Sequence, residues 1–160
     1  MKSKYSFEKS VGGVVYREEN DIKLFLLLHY ESGHWDFPKG HVEEGESDIE
    51  TLKREVSEET GINDLAVLPN FKKQIKYFYK AKGGELEERK KEGRPQNVIK
   101  RVTYYLAETT DQNVKISFEH TGFEWLPFNE ALKKITYKNS KDVIGEANDF
   151  LTHNKQANLL

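Results

Sequence analysis

Three observations predict an α+β fold in which helices enclose a mixed β-sheet. Strand-like and helix-like segments follow one another without the regular rhythm of a doubly wound sheet, so hairpin connections are expected. Two segments, one mid-chain and one near the end, carry apolar residues at helical spacing. The chain has 160 residues, 36% of them hydrophobic and 12% aromatic, enough for one domain with its own core. That domain is expected to span residues 1–160, with a core at about 8–152 and a frayed tail at 153–160.

Taken in order, Ser10 to Arg17 reads as a strand whose glycine pair marks a bulge or a close backbone contact. Glu18 to Asp21 is a turn, and Lys23 to Tyr30 is an apolar run of strand length, expected in the middle of the sheet. Trp35-Asp36-Phe37 is a short extended stretch held by Pro38. Ser47-Asp48-Ile49-Glu50 is a capping box, so a helix is predicted from there to about Glu59, ending at Gly61. Ala66 to Leu68, Lys72 to Tyr79, Val98 to Glu108 and His120 to Leu126 read as further strands, the second an edge strand studded with lysines. The dense charges and glycines of Lys80 to Asn97 predict a solvated hairpin tip. A short helix at Asn129 to Ile135 and an amphipathic one at about Ser140 to Leu151 complete the chain.

Composition excludes several chemistries. There is no cysteine, hence no disulfide, thiolate metal site or cysteine nucleophile, as suits a cytoplasmic location. The longest apolar run, Leu24 to Leu28, is far too short to span a bilayer, and the first residues lack the apolar stretch of a secretory signal. A soluble monomer without a membrane partner is expected.

The net charge is only -2, but eight acidic and two basic side chains crowd into residues 40–62. On the predicted helix, Ile49, Leu52 and Val56 form an apolar stripe, and Glu55, Glu58 and Glu59 share the adjacent arc. Three like charges on neighbouring turns repel unless a cation neutralises them. Magnesium, which takes oxygen ligands and commonly sits between carboxylates and phosphates, answers that need; a solvated acidic face is the plain alternative. Just upstream, Phe37-Pro38-Lys39-Gly40-His41 offers backbone carbonyls to a metal and the Lys39 ammonium to a phosphate, and Glu46 is placed to orient Arg54 or Glu58.

The stretch from Gly40 through Glu46, Arg54-Glu55-Val56 and Glu58-Glu59 to Gly61-Ile62 resembles the Nudix box at all nine of its defined positions. The resemblance implies a Nudix α/β/α sandwich that hydrolyses a nucleoside diphosphate linked to another group. It implies that Glu55, Glu58 and Glu59 bind magnesium, with manganese a possible substitute and the Gly40 carbonyl a further ligand. Glu46 and Arg54 would brace them.

Outside the box the chain resembles, more narrowly, the asymmetrical diadenosine tetraphosphate hydrolases of the animal and archaeal type. The matching pieces include Gly12 to Arg17, His34 to His41, Tyr79 to Gly83, Val102 to Ala107, Phe118 to His120 and the Trp125 strand. Lys39 stands where many Nudix proteins have a second glycine, and its charge favours a long polyphosphate. That resemblance implies phosphate contacts from His34 and Lys39, adenine stacking between Tyr79 and Tyr137, and Lys82 as a further substrate-binding candidate. Tyr104 would be either core or phosphate-facing, and Glu119 a metal ligand or base. The proton of the attacking water would pass to Glu58, with Glu119 as the rival base. The 80–97 segment is longer than in compact animal members, which leaves the placement of Lys82 and Lys100 open. Expected products are ATP and AMP from a dinucleoside polyphosphate. The alternatives are pyrophosphate removal from RNA 5′ ends, hydrolysis of another nucleotide, and a non-catalytic nucleotide-binding module.

Overall fold

The computed structural model describes residues 3–158. Eight strands and four helices follow in the order β1 (Tyr5–Glu19), β2 (Ile22–Tyr30), β3 (Trp35–Asp36), β4 (Lys39–His41), α1 (Asp48–Thr60), β5 (Ala66–Val67), β6 (Lys73–Lys80), α2 (Gly83–Glu92), β7 (Asn97–Glu108), β8 (His120–Pro127), α3 (Phe128–Lys134) and α4 (Lys138–Asn158). All eight strands join one sheet: β1 lies between β2 and β7, β6 and β5 pair with β7, and β8 and β3 pair with β2. The β1–β7 pairing is parallel and the rest are antiparallel, so the sheet is mixed as predicted.

Alternation along β1 divides its side chains between two cores. Val14 and Tyr16 join Phe25, Tyr104, Ile144 and Ala147 in the core under α3 and α4. Val11 and Val15 join Leu26, Leu28, Leu52 and Val56 in the core under α1. The result is helix, sheet and helix in three layers. The glycine pair is explained by close contact on both faces. A Cβ on Gly12 would come within 2.6 Å of the Tyr104 ring, and one on Gly13 within 2.7 Å of Leu52.

α1 is held at both ends as its sequence predicts. The Ser47 hydroxyl accepts from the Glu50 amide at 3.2 Å, and Gly61 closes the helix in the left-handed conformation at φ 78°. The strand predicted from Ser10 begins earlier, at Tyr5, because its first residues pair in register with β7.

Two expectations fail. The 80–97 segment is not a hairpin tip; it contains the ten-residue helix α2. Glu85 in its first turn, Arg89, Lys90 and Lys91 in its last, and Gly93 at its left-handed end are helix signals that the charge density obscured. The tail expected after residue 152 continues α4 to Asn158, as the stretch has neither glycine nor proline to stop it. Leu159 and Leu160, also assigned to that tail, lie outside the described residues.

Candidate active site

α1 lies against β4, where backbone and carboxylates meet closely. A Cβ on Gly40 would collide with the Glu55 carboxyl group, so only glycine lets that carboxylate rest on the strand. Beside it, Glu59 is buried and accepts the Lys39 amide at 3.1 Å. Glu58, one turn along from Glu55 and largely exposed, completes the arc. All three line an open cleft of about 740 Å³ with Gly40, Lys39, Lys100 and Glu119.

Arg54 fastens the cluster from one side. Its Nε donates to Glu46 at 2.7 Å, and Nη2 donates to Glu46 and to the His41 carbonyl at 3.0 and 2.9 Å. Nη1 donates to Glu55 at 2.8 Å and to Glu58 at 3.2 Å. Glu46 also accepts from the Glu43 amide and the Thr51 hydroxyl. The Arg54 hydrogen bond, with these others, brings Glu46 down to about 2. Glu46 therefore orients Arg54, and Arg54 in turn reaches Glu55 and Glu58.

One guanidinium does not satisfy this many carboxylates. Burial pushes the Glu55 carboxyl above its usual range, with Glu58 and Glu119 adding repulsion. Glu59 is pushed up to about 9 by burial, with Glu55 and Glu119 adding to it. Next to Glu59, His120 is buried with no hydrogen-bond partner for Nε2 among the described residues; that atom lies 3.9 Å from the Glu59 carboxylate. Burial lowers the His120 pKa, against the pull of Glu119. The Ser10 hydroxyl, also on the cleft, is buried without a partner among the described residues. Hard oxygen donors with surplus negative charge suit a divalent cation. Among the described residues no three acidic or histidine side chains already close into a metal cage. Magnesium tolerates this, since it commonly keeps several waters and takes one or two carboxylates.

A second cleft of about 520 Å³ adjoins the first through shared Tyr30, Lys39 and Lys100. The His34 ring stacks on Tyr30 at 4.5 Å and lies 5.2 Å from the Tyr137 ring. Lys39 Nζ donates to the buried Asp36 carboxylate at 3.3 Å. Tyr77 forms the facing wall on β6.

His34, Lys39 and Tyr137 are thus brought together, but three residues of the sequence reading are elsewhere. Tyr79 lines neither cleft; its hydroxyl donates to Glu85 on α2 at 2.8 Å, and Tyr77 lines the second cleft with Tyr137 in its place. The two tyrosines are two residues apart on one strand face, so alternation alone could not separate them. Lys82, an exposed residue at the start of α2, reaches neither cleft. Tyr104 is fully buried in the core, which settles its two options against a phosphate contact. Lys100, left open by the sequence, lines both clefts, and burial together with Lys39 lowers its pKa. Its signal was a lysine at a strand position whose neighbours Val98 and Val102 are core.

Residues 6–146 match the NUDIX domain family. The chain is 35% identical over 155 residues to the asymmetrical bis(5′-nucleosyl)-tetraphosphatase of Mus musculus, covering 89% of this chain and 95% of that one. It superposes on the crystal structure of a C. elegans Ap4A hydrolase binary complex with a TM-score of 0.74 and 30% identity, over 91% of this chain and 98% of that one. A shorter likeness, 42% over 61 residues, joins it to the RNA pyrophosphohydrolase of Helicobacter pylori strain ATCC 700392 / 26695, covering 38% of this chain and 39% of that protein.

Proposed function

This chain belongs to the Nudix family, and on that premise we propose that it hydrolyses diadenosine tetraphosphate asymmetrically, to ATP and AMP. One observation carries the reading: the undercompensated Glu55, Glu58 and Glu59 open onto a cleft that continues past two lysines into an aromatic-walled one. A carboxylate site, a cationic passage and an aromatic pocket match, in that order, a metal, a polyphosphate and a base.

Glu55, Glu58, Glu59 and the Gly40 carbonyl would hold magnesium, or manganese in its place, with Glu119 at the rim as a further ligand. When bound, the metal lowers the pKa of a water and shields charge in the in-line displacement. Glu46 and Arg54 keep the carboxylates turned toward the cleft. Lys39 and Lys100, with His34 beside them, hold the phosphate chain where charge develops. Tyr137 and Tyr77 bracket an adenine, which replaces the Tyr79–Tyr137 pairing expected from sequence. Glu58 accepts the proton of the attacking water, and Glu119 is the rival base.

The likeness to an RNA pyrophosphohydrolase reaches only 38% of the chain, so removal of pyrophosphate from RNA 5′ ends is the weaker reading. Hydrolysis in oxygen-18 water with magnesium decides between them. ATP and AMP from diadenosine tetraphosphate, with label in one product alone, are expected. Symmetrical ADP formation, or turnover confined to triphosphorylated RNA, overturns the proposal.

A further inference from the structure

The strand registers line up an exposed surface that the hydrolytic site does not use. Phe7 on β1 pairs with Ile99 on β7, which pairs with Phe78 on β6. In the next row on the same face, Lys9 pairs with Arg101 and Arg101 with Lys76; on the other side, Tyr5 pairs with Asn97 and Asn97 with Lys80. This is the α1 face of the sheet, beyond the end of the helix: Lys9 bridges to Asp48 in the first turn of α1 at 2.8 Å. The catalytic lysine passage lies on the opposite face, because Lys100 and Tyr77 are the alternate neighbours of Ile99 and Phe78.

Phe7 is 71% exposed, Phe78 69% and Tyr5 43%. Solvated sheet faces are ordinarily polar, so a row of uncovered rings flanked by cations calls for a ligand. Arg101, Lys76 and Lys80 make no ion pair among the described residues.

We propose that this face binds single-stranded nucleic acid, bases stacking on Phe7 and Phe78 and phosphates meeting Arg101, Lys76 and Lys80. Charge complementarity and ring geometry both favour that occupant. Adjacent strands are about 4.8 Å apart, so the two phenylalanines stand about 10 Å apart on a rigid platform, within reach of neighbouring nucleotides. Aromatic rings on a sheet with surrounding cations are the general means of holding unpaired bases without sequence preference. A second copy of the chain would set these cations against each other across a two-fold interface. An anionic membrane is served better by protruding side chains than by a platform within a sheet.

The test is fluorescence anisotropy with a labelled twelve-residue oligouridylate bearing a 5′-hydroxyl, without magnesium. Saturable binding is expected in 50 mM salt, undisturbed by excess non-hydrolysable diadenosine tetraphosphate analogue. Each phosphate contact adds about 0.7 to the salt slope, so R101Q/K76Q should lower the slope by about 1.4. F7L/F78L should weaken binding about tenfold or more, while F7Y/F78Y retains it and both keep wild-type hydrolysis. Photo-crosslinking of bromouridine RNA to wild-type protein should mark peptides holding Phe7 or Phe78, which tests the surface without any substitution. Loss of binding to the analogue, wild-type affinity in F7L/F78L, or crosslinks confined to the cleft overturn the proposal. So does a protein that ignores the RNA but pellets with phosphatidylserine vesicles or dimerises through these phenylalanines.

Discussion

Arg54 and Arg89 each gather glutamates around a guanidinium, one on α1 and one on α2. Arg89 is 2% exposed and pairs with Glu8 on β1 and Glu85 one turn back, with the Pro95 carbonyl as a further acceptor. Arg94 reaches Glu8 as well, at 3.8 Å, so two acids meet two bases around a buried guanidinium, a pin that fastens α2 to the sheet. Arg54 is shared among Glu43, Glu46, Glu55 and Glu58, beside a Glu59 it does not reach. Carboxylates there outnumber cations; burial, with repulsion between neighbours, raises the pKa values of Glu55 and Glu59, while the Arg54 hydrogen bond lowers that of Glu46. A charge cluster that closes its own account holds a fold together; one left in surplus is available to a ligand.

Substitutions can break that contrast. Arg89→Met removes the buried partner of Glu8, whose side chain is only 15% exposed, and should cost about 3–5 kcal/mol in urea unfolding, the scale of a broken buried pair. Its folded fraction should still turn over substrate; a variant as stable as wild type would reduce the pin to an ordinary surface contact. Glu58→Gln does the reverse. Turnover should fall at least about a hundredfold, as for loss of a general base, with the thermal midpoint nearly unchanged because the side chain is exposed. If instead Glu119→Gln shows the larger loss and the flattened pH–rate profile, the base is Glu119.

A smaller effect sharpens the site's geometry. Gly40→Ala forces the Glu55 carboxylate off β4, and a displacement near 1 Å should reduce turnover roughly tenfold to a hundredfold while KM changes less.

The smallest effect lies away from both arginines, at Asp64. Hydrogen bonds from Thr109 and Thr110 hold its carboxyl below the usual range, tying the chain after α1 to the end of β7. The stabilisation is present above the unfolded value near 3.9 and lost as pH falls through the folded one. Asp64→Asn should cost about 1 kcal/mol at pH 7, and the difference should shrink toward zero at pH 2 in matched urea titrations.

The α1 cluster was legible in sequence because its information is local. Capping residues, the apolar stripe and the i, i+3, i+4 glutamates all act within one helix, so spacing alone puts the carboxylates on one arc. The α2 pin was not legible, because Glu8 and Arg89 are joined by a contact across 81 residues. Without that partner, the helix reads as a solvated run of charge. Tyr77 and Tyr79 show the same limit at closer range, since both obey the strand's alternation and only the positions of Tyr137 and Glu85 distinguish them.

By itself, then, the sequence determined the mixed layering, the ends of α1 and the family's carboxylate arc, all of which follow from local periodicity and short-range hydrogen bonding. Tertiary structure decided which tyrosine meets Tyr137, that Lys100 rather than Lys82 lines the passage, and which aromatic rows remain uncovered on the far face. Those depend on register between strands distant in the chain, where a slip of one residue would exchange the two faces.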